Sequence, residues 1–64
     1  MSSMNSVEVD GFVLGESESA VKLDFGGGRP VWIPKSQILD SDEPGDGSMF
    51  LEIPEWLAMR EGLI

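Results

Sequence analysis

The chain contains neither cysteine nor histidine, so the two staples that small domains most often use, disulfides and zinc, are both closed to it. Its 64 residues make one domain, and a domain of that size buries only about 60% of the surface its unfolded chain exposes. Apolar packing alone, or packing completed by a partner or a second copy, must hold the fold. Hydrophobic residues make up 41% of the chain, enough for a globular core, so the net charge of −8 reads as a folded acidic surface and not as a sign of disorder. Such a surface repels nucleic acid and anionic membranes and attracts basic proteins. The four cations, Lys22, Arg29, Lys35 and Arg60, are scattered along the chain, which disfavours direct contact with nucleic-acid phosphates. Met1 to Asn5 lacks the basic and apolar regions of a leader, and no stretch approaches the roughly 20 apolar residues of a membrane span. A soluble protein of a reducing intracellular compartment is expected, as a monomer or a small homo-oligomer.

Residues 1–5 read as a disordered polar start and 6–64 as a single small acidic β domain. Val7 and Val9 alternate with Glu8 and Asp10, the period of a half-buried strand. Gly11 interrupts the pattern and predicts a bulge that carries Phe12 to Leu14 onward. Gly15 to Ser19 is a polar turn, and Val21, Leu23 and Phe25 face inward on a second strand, giving an antiparallel hairpin. Gly26-Gly27-Gly28 predicts a flexible hairpin turn. It lacks the spaced glycines, the Lys-Ser/Thr end and the following helix of a phosphate cradle. Val31 to Ile33 is a third strand bounded by Pro30 and Pro34, which suit strand ends and sheet edges. One helical turn over 34–37 should return Ile38 and Leu39 to the core, and Asp40 to Ser48 should be an acidic loop. Met49 to Ile53 forms a fourth strand. Pro54 to Glu61 is a short helix with Pro54 at its first position, Glu55 at the positive end of the dipole and Gly62 as a left-handed stop. Trp56 or Leu57 should close it over the open end of the sheet. The expected fold is mainly β: a small antiparallel sheet or partly closed barrel of about four strands with one short C-terminal helix.

Catalysis finds little support in these residues. Asp40-Ser41-Asp42-Glu43-Pro44-Gly45-Asp46 echoes a calcium loop, but Pro44 stands at a ligand position, Leu51 replaces the bidentate glutamate and no helix precedes it. Paired carboxylates for glycoside cleavage need a cleft that a domain of this size has little room for. Ser17, Ser19 and Ser36 have no histidine to activate them. No enzyme, cofactor or metal is expected.

The acids are more informative as a set. Glu8 with Asp10, and Glu16 with Glu18, are two residues apart, so in an extended chain each pair projects to one side about 6 to 7 Å apart. That spacing approximates successive phosphates of a nucleic-acid strand. With Asp24, Asp40, Asp42, Glu43, Asp46 and Glu52 added, a folded surface could imitate a duplex backbone. The bland reading is that acidity keeps a small β protein soluble and blunts its sheet edges. Trp32 should point away from the core if Val31 and Ile33 point inward. Cover by the C-terminal helix or the acidic loop is the expectation, and an exposed binding hot spot the alternative.

Val31-Trp32-Ile33-Pro34-Lys35-Ser36-Gln37-Ile38, together with Leu51-Glu52-Ile53-Pro54-Glu55-Trp56-Leu57-Ala58 and Glu61-Gly62-Leu63-Ile64, resembles the paired WIPKSQI and IPEWLA…GLI blocks of small uncharacterised phage and prophage proteins. The resemblance covers about the last half of the chain and transfers no catalytic residue. It implies a mobile-element context, in which small acidic proteins include anti-CRISPR inhibitors and other DNA mimics. The leading expectation is therefore a non-enzymatic inhibitor that binds a basic nucleic-acid-binding protein or complex of host defence. The alternative is an accessory interaction module of phage replication or recombination.

Overall fold

The computed structural model describes residues 5–64. It is an open antiparallel sheet of five strands, in the order β3-β2-β1-β5-β4, with one short helix. The strands are β1 (Ser6–Glu16), β2 (Ala20–Asp24), β3 (Val31–Pro34), β4 (Asp40–Asp42) and β5 (Ser48–Pro54), and α1 spans Glu55–Arg60. Residues 1–4 of the expected disordered start lie outside the described residues. Asn5 is engaged: its carbonyl accepts the Glu55 N–H at 2.9 Å.

β1 organises the molecule. Extended, its 11 residues run about 36 Å, nearly the full 38 Å long axis. Its first half, Ser6 to Phe12, pairs with β5, and its second half, from Phe12, pairs with β2, so Phe12 alone stands in both ladders. Val7, Val9, Gly11 and Val13 keep an unbroken alternation toward the core. The expected bulge at Gly11 is absent because Gly11 serves another purpose. A Cβ there would stand 2.8 Å from the Asp24 carbonyl oxygen and 2.9 Å from the Phe25 ring, so Gly11 is where the Phe25 ring packs onto the strand. The register shift falls between Val13 and Gly15 instead. Beyond it Gly15 faces Lys22 and Glu16 faces Val21, which moves Glu16 onto the core side of the sheet.

The acidic segment forms a fifth strand where a loop was expected. Asp40, Ser41 and Asp42 carry no apolar alternation, but the Leu39 N–H donates to the Glu52 carbonyl at 2.8 Å and the three residues pair with Glu52, Leu51 and Phe50. Tertiary pairing overrides a poor local propensity here. Lys35–Gln37 form the expected turn, as a 3-10 helix. Ile38 returns to pack on the core, but Leu39 stays exposed, since successive residues of extended chain point to opposite sides.

The core is Val21, Leu23, Ile33, Met49, Leu51, Ile53, Leu57 and Ala58, with Val7, Val9, Val13, Phe25, Val31, Ile38 and Leu63 packed around it. Leu57 and Ala58 of α1 close it from one side. Pro54 is the N-cap, in an extended conformation, so the helix starts at Glu55, one residue later than expected. Gly62 has φ +76°, its N–H reaches the Met59 carbonyl and Leu63 N–H reaches the Ala58 carbonyl, the paired bonds of a Schellman stop. Six residues of helix cannot hold their shape without this packing.

Candidate functional site

The face of the sheet turned away from α1 carries the chemistry, and cross-strand register shows how it is assembled. Glu8 lies opposite Glu52, and Glu52 opposite Asp40. In the next row Asp10 lies opposite Phe50, and Phe50 opposite Asp42. In the third, Phe12 stands between Ser48 and Asp24. Further along, Lys22 faces Trp32. Residues directly opposite on adjacent strands have Cβ atoms about 4.5 to 5.5 Å apart. Three strands thus bring Glu8, Asp10, Asp40, Asp42 and Glu52 into one patch around Phe50, with Asp24 beside Phe12.

That arrangement strains the ladder it sits on, because like charges directly opposite destabilise a sheet. Glu8, Glu52 and Asp40 form such a row across three strands. The Ser6 hydroxyl donates to Glu52 Oε2 and relieves part of the load. Asp24 Oδ1 accepts the Gly26 N–H at 2.8 Å, fixing the start of the glycine turn. Asp10 and Asp42 accept no hydrogen bond from any side chain among the described residues.

Not every expected acid joins the face. Glu16 and Glu18 do not form a second phosphate-spaced pair: the shift after Val13 turns Glu16 to the core side, where it pairs with Lys35, and Glu18 lies in the Ser17–Ser19 turn. Glu43 lines a cleft of about 310 Å³ beside Glu16, Lys35 and Ile38. Asp46 belongs to the loop before β5, where the Ser48 hydroxyl and then the Ser48 N–H hold its carboxyl below the ordinary range.

Trp32 is uncovered, against the expectation, at 49% exposure. The helix touches β5 and β1 on the other side of the sheet, so neither its length nor its position lets it reach Trp32. The Lys22 ammonium lies 6.0 Å from the Trp32 ring centre, and the Arg60 guanidinium 5.6 Å from that of Trp56. Both exposed tryptophans therefore already carry a cation from their own chain.

Two aromatic residues of this face escaped the sequence reading. Phe12 is 58% exposed and Phe50 is 41% exposed, diagonal neighbours at about 7 to 8 Å. The signal was present: Phe12 is in phase with Glu8 and Asp10, and Phe50 is out of phase with Met49, Leu51 and Ile53.

No helix among the described residues is long and apolar enough to cross a membrane, and no group of three or more acids among them is placed to hold a metal ion. Comparison of the chain with protein-family models, with curated proteins and with solved structures finds no significant match.

Proposed function

We propose that the protein is a non-enzymatic acidic inhibitor acting in a bacterial host cytoplasm, where its outer sheet face docks on the basic nucleic-acid-binding surface of a host defence complex. The carboxylates stand in for phosphates. One observation carries the reading: Glu8, Asp10, Asp24, Asp40, Asp42 and Glu52 share one face of the sheet with Lys22 as its cation. The setting is what the resemblance of Val31–Ile38, Leu51–Ala58 and Glu61–Ile64 to blocks of phage and prophage proteins implies. A field of this sign speeds encounter with a basic surface by a factor of about 10 to 1,000 at low salt and fades as salt rises.

The test is a capture experiment from host lysate at low and moderate salt, followed by a DNA-binding assay on what is captured. A nucleic-acid-binding complex that releases early with salt, and whose DNA binding the protein blocks, is the expected result. Charge reversal at Glu8 and Glu52 should weaken that block by about tenfold or more. A captured protein that resists salt and still binds DNA overturns the reading. It would point instead to an accessory module of phage replication or recombination, working through the exposed Trp32 and Trp56, where Trp32→Ala outweighs charge reversal.

A further inference from the structure

The outer face is more than acidic: no element among the described residues covers it, and it carries two exposed phenylalanine rings set among carboxylates. Phe50 is flanked on its two neighbouring strands by Asp10 and Asp42, and Phe12 by Asp24. A ring presents a negative face to a cation, and carboxylates at its edge accept that cation's N–H groups. The chain itself uses the first half of this chemistry, with Lys22 on Trp32 and Arg60 on Trp56. No cation of the chain lies over Phe12 or Phe50 among the described residues. Lys35 is committed to Glu16 and Arg60 to Glu61, and Arg29 stands in the glycine turn. A second copy, bearing the same charge of −8, is repelled by this face.

We infer that the face receives arginine side chains of a basic protein partner, one guanidinium lying flat on Phe50 between Asp10 and Asp42 and a second on Phe12 beside Asp24. The inference rests on the proposed function and names what its basic surface must offer. Arginine fits where lysine does not. Its guanidinium is planar and weakly hydrated, so it stacks on a ring while its fork of donors reaches carboxylates in the ring plane. A lysine ammonium is a hydrated point charge that is drawn to the ring and the carboxylates but cannot stack flat on the ring while its donors reach both acids. Phosphate mimicry by charge alone would make the two cations equivalent, and the two phenylalanines are what separate them.

The experiment titrates the full chain at low salt with hexa-arginine and with hexa-lysine, following affinity by calorimetry and location by backbone amide shifts. Hexa-arginine should bind at least about threefold more tightly, with the largest shifts at Asp10, Phe50 and Asp42. In Phe50→Leu, which keeps an apolar side chain of similar bulk, and independently in Phe12→Leu, the preference should shrink toward one while hexa-lysine affinity is unchanged. Equal binding of the two peptides by the parent chain, or a preference that survives both variants, overturns the arginine inference and leaves the basic-surface reading standing. Absence of binding by either peptide overturns both.

Discussion

At Gly11 the β1 backbone and the end of β2 come so close that no other residue fits. The nearest obstacle to a Cβ is the Asp24 carbonyl at 2.8 Å, a backbone atom that cannot swing aside as a side chain can. Gly11→Ala should therefore push the two strands apart and cost about 1 to 3 kcal/mol, the usual penalty for overpacking. Gly15 supplies the control, because a Cβ there meets nothing nearer than Lys22 Cβ at 4.0 Å. Gly15→Ala should leave the unfolding free energy, read by urea denaturation, within about 0.5 kcal/mol of the parent. Equal effects at the two positions would show that loss of backbone freedom, not contact with Asp24 and Phe25, is what matters. The strand containing both glycines was legible in the sequence from its valines, but the use of each glycine was not. Either could break the alternation, and only the packing of Phe25 decides that Gly11 continues it while the register shifts after Val13.

Elements with their own period were readable, and elements that borrow their order were not. Val21-Lys22-Leu23-Asp24, Val31 to Ile33 and Met49 to Ile53 each announce a strand by alternation or by bounding turns, and Pro54 with Gly62 brackets the helix. β4 has none of these signals and exists because β5 offers a ladder. The same limit governs the candidate site. The pairs Glu8/Asp10 and Asp40/Asp42 are visible along the chain, but the row Glu8–Glu52–Asp40 depends on register across three strands, which one residue of slip would scramble. Glu16 demonstrates this, carried to the core side by a single extra residue. Because the Glu8–Glu52 pair opposes like charges, Glu8→Gln should stabilise the fold by about 0.2 to 1 kcal/mol while weakening capture of the proposed basic partner. Urea denaturation at low salt reads the first effect and salt-dependent binding the second. A loss of stability in this variant would mean that the carboxylate is held by favourable contacts, and the argument that the ladder bears a cost for function would fail.

Taken whole, the molecule sets twelve acids against four cations on a body only 21 Å across its shorter axes. Its core, built on eight buried hydrophobic residues among the described ones, has no disulfide behind it, so self-repulsion weighs on a small margin. Between about 20 and 300 mM salt the screening length falls from about 20 Å to about 6 Å, that is, from the width of the molecule to near the spacing of adjacent strands. Added sodium chloride should therefore remove repulsion across the whole body first and within the acidic face last. Between about 20 and 300 mM the thermal midpoint should rise, by roughly 4 to 8 °C for each kcal/mol of repulsion removed. Binding of the proposed basic partner should weaken over the same range, since charges of this kind steer association and are screened by salt. The opposite slopes are the signature of one set of carboxylates acting in both roles. If the midpoint stays flat while binding falls, the face is already relaxed by local hydrogen bonds such as Ser6 to Glu52. If binding stays flat while the midpoint rises, the acids burden the fold without serving the contact, and the aromatic residues must carry the partner alone.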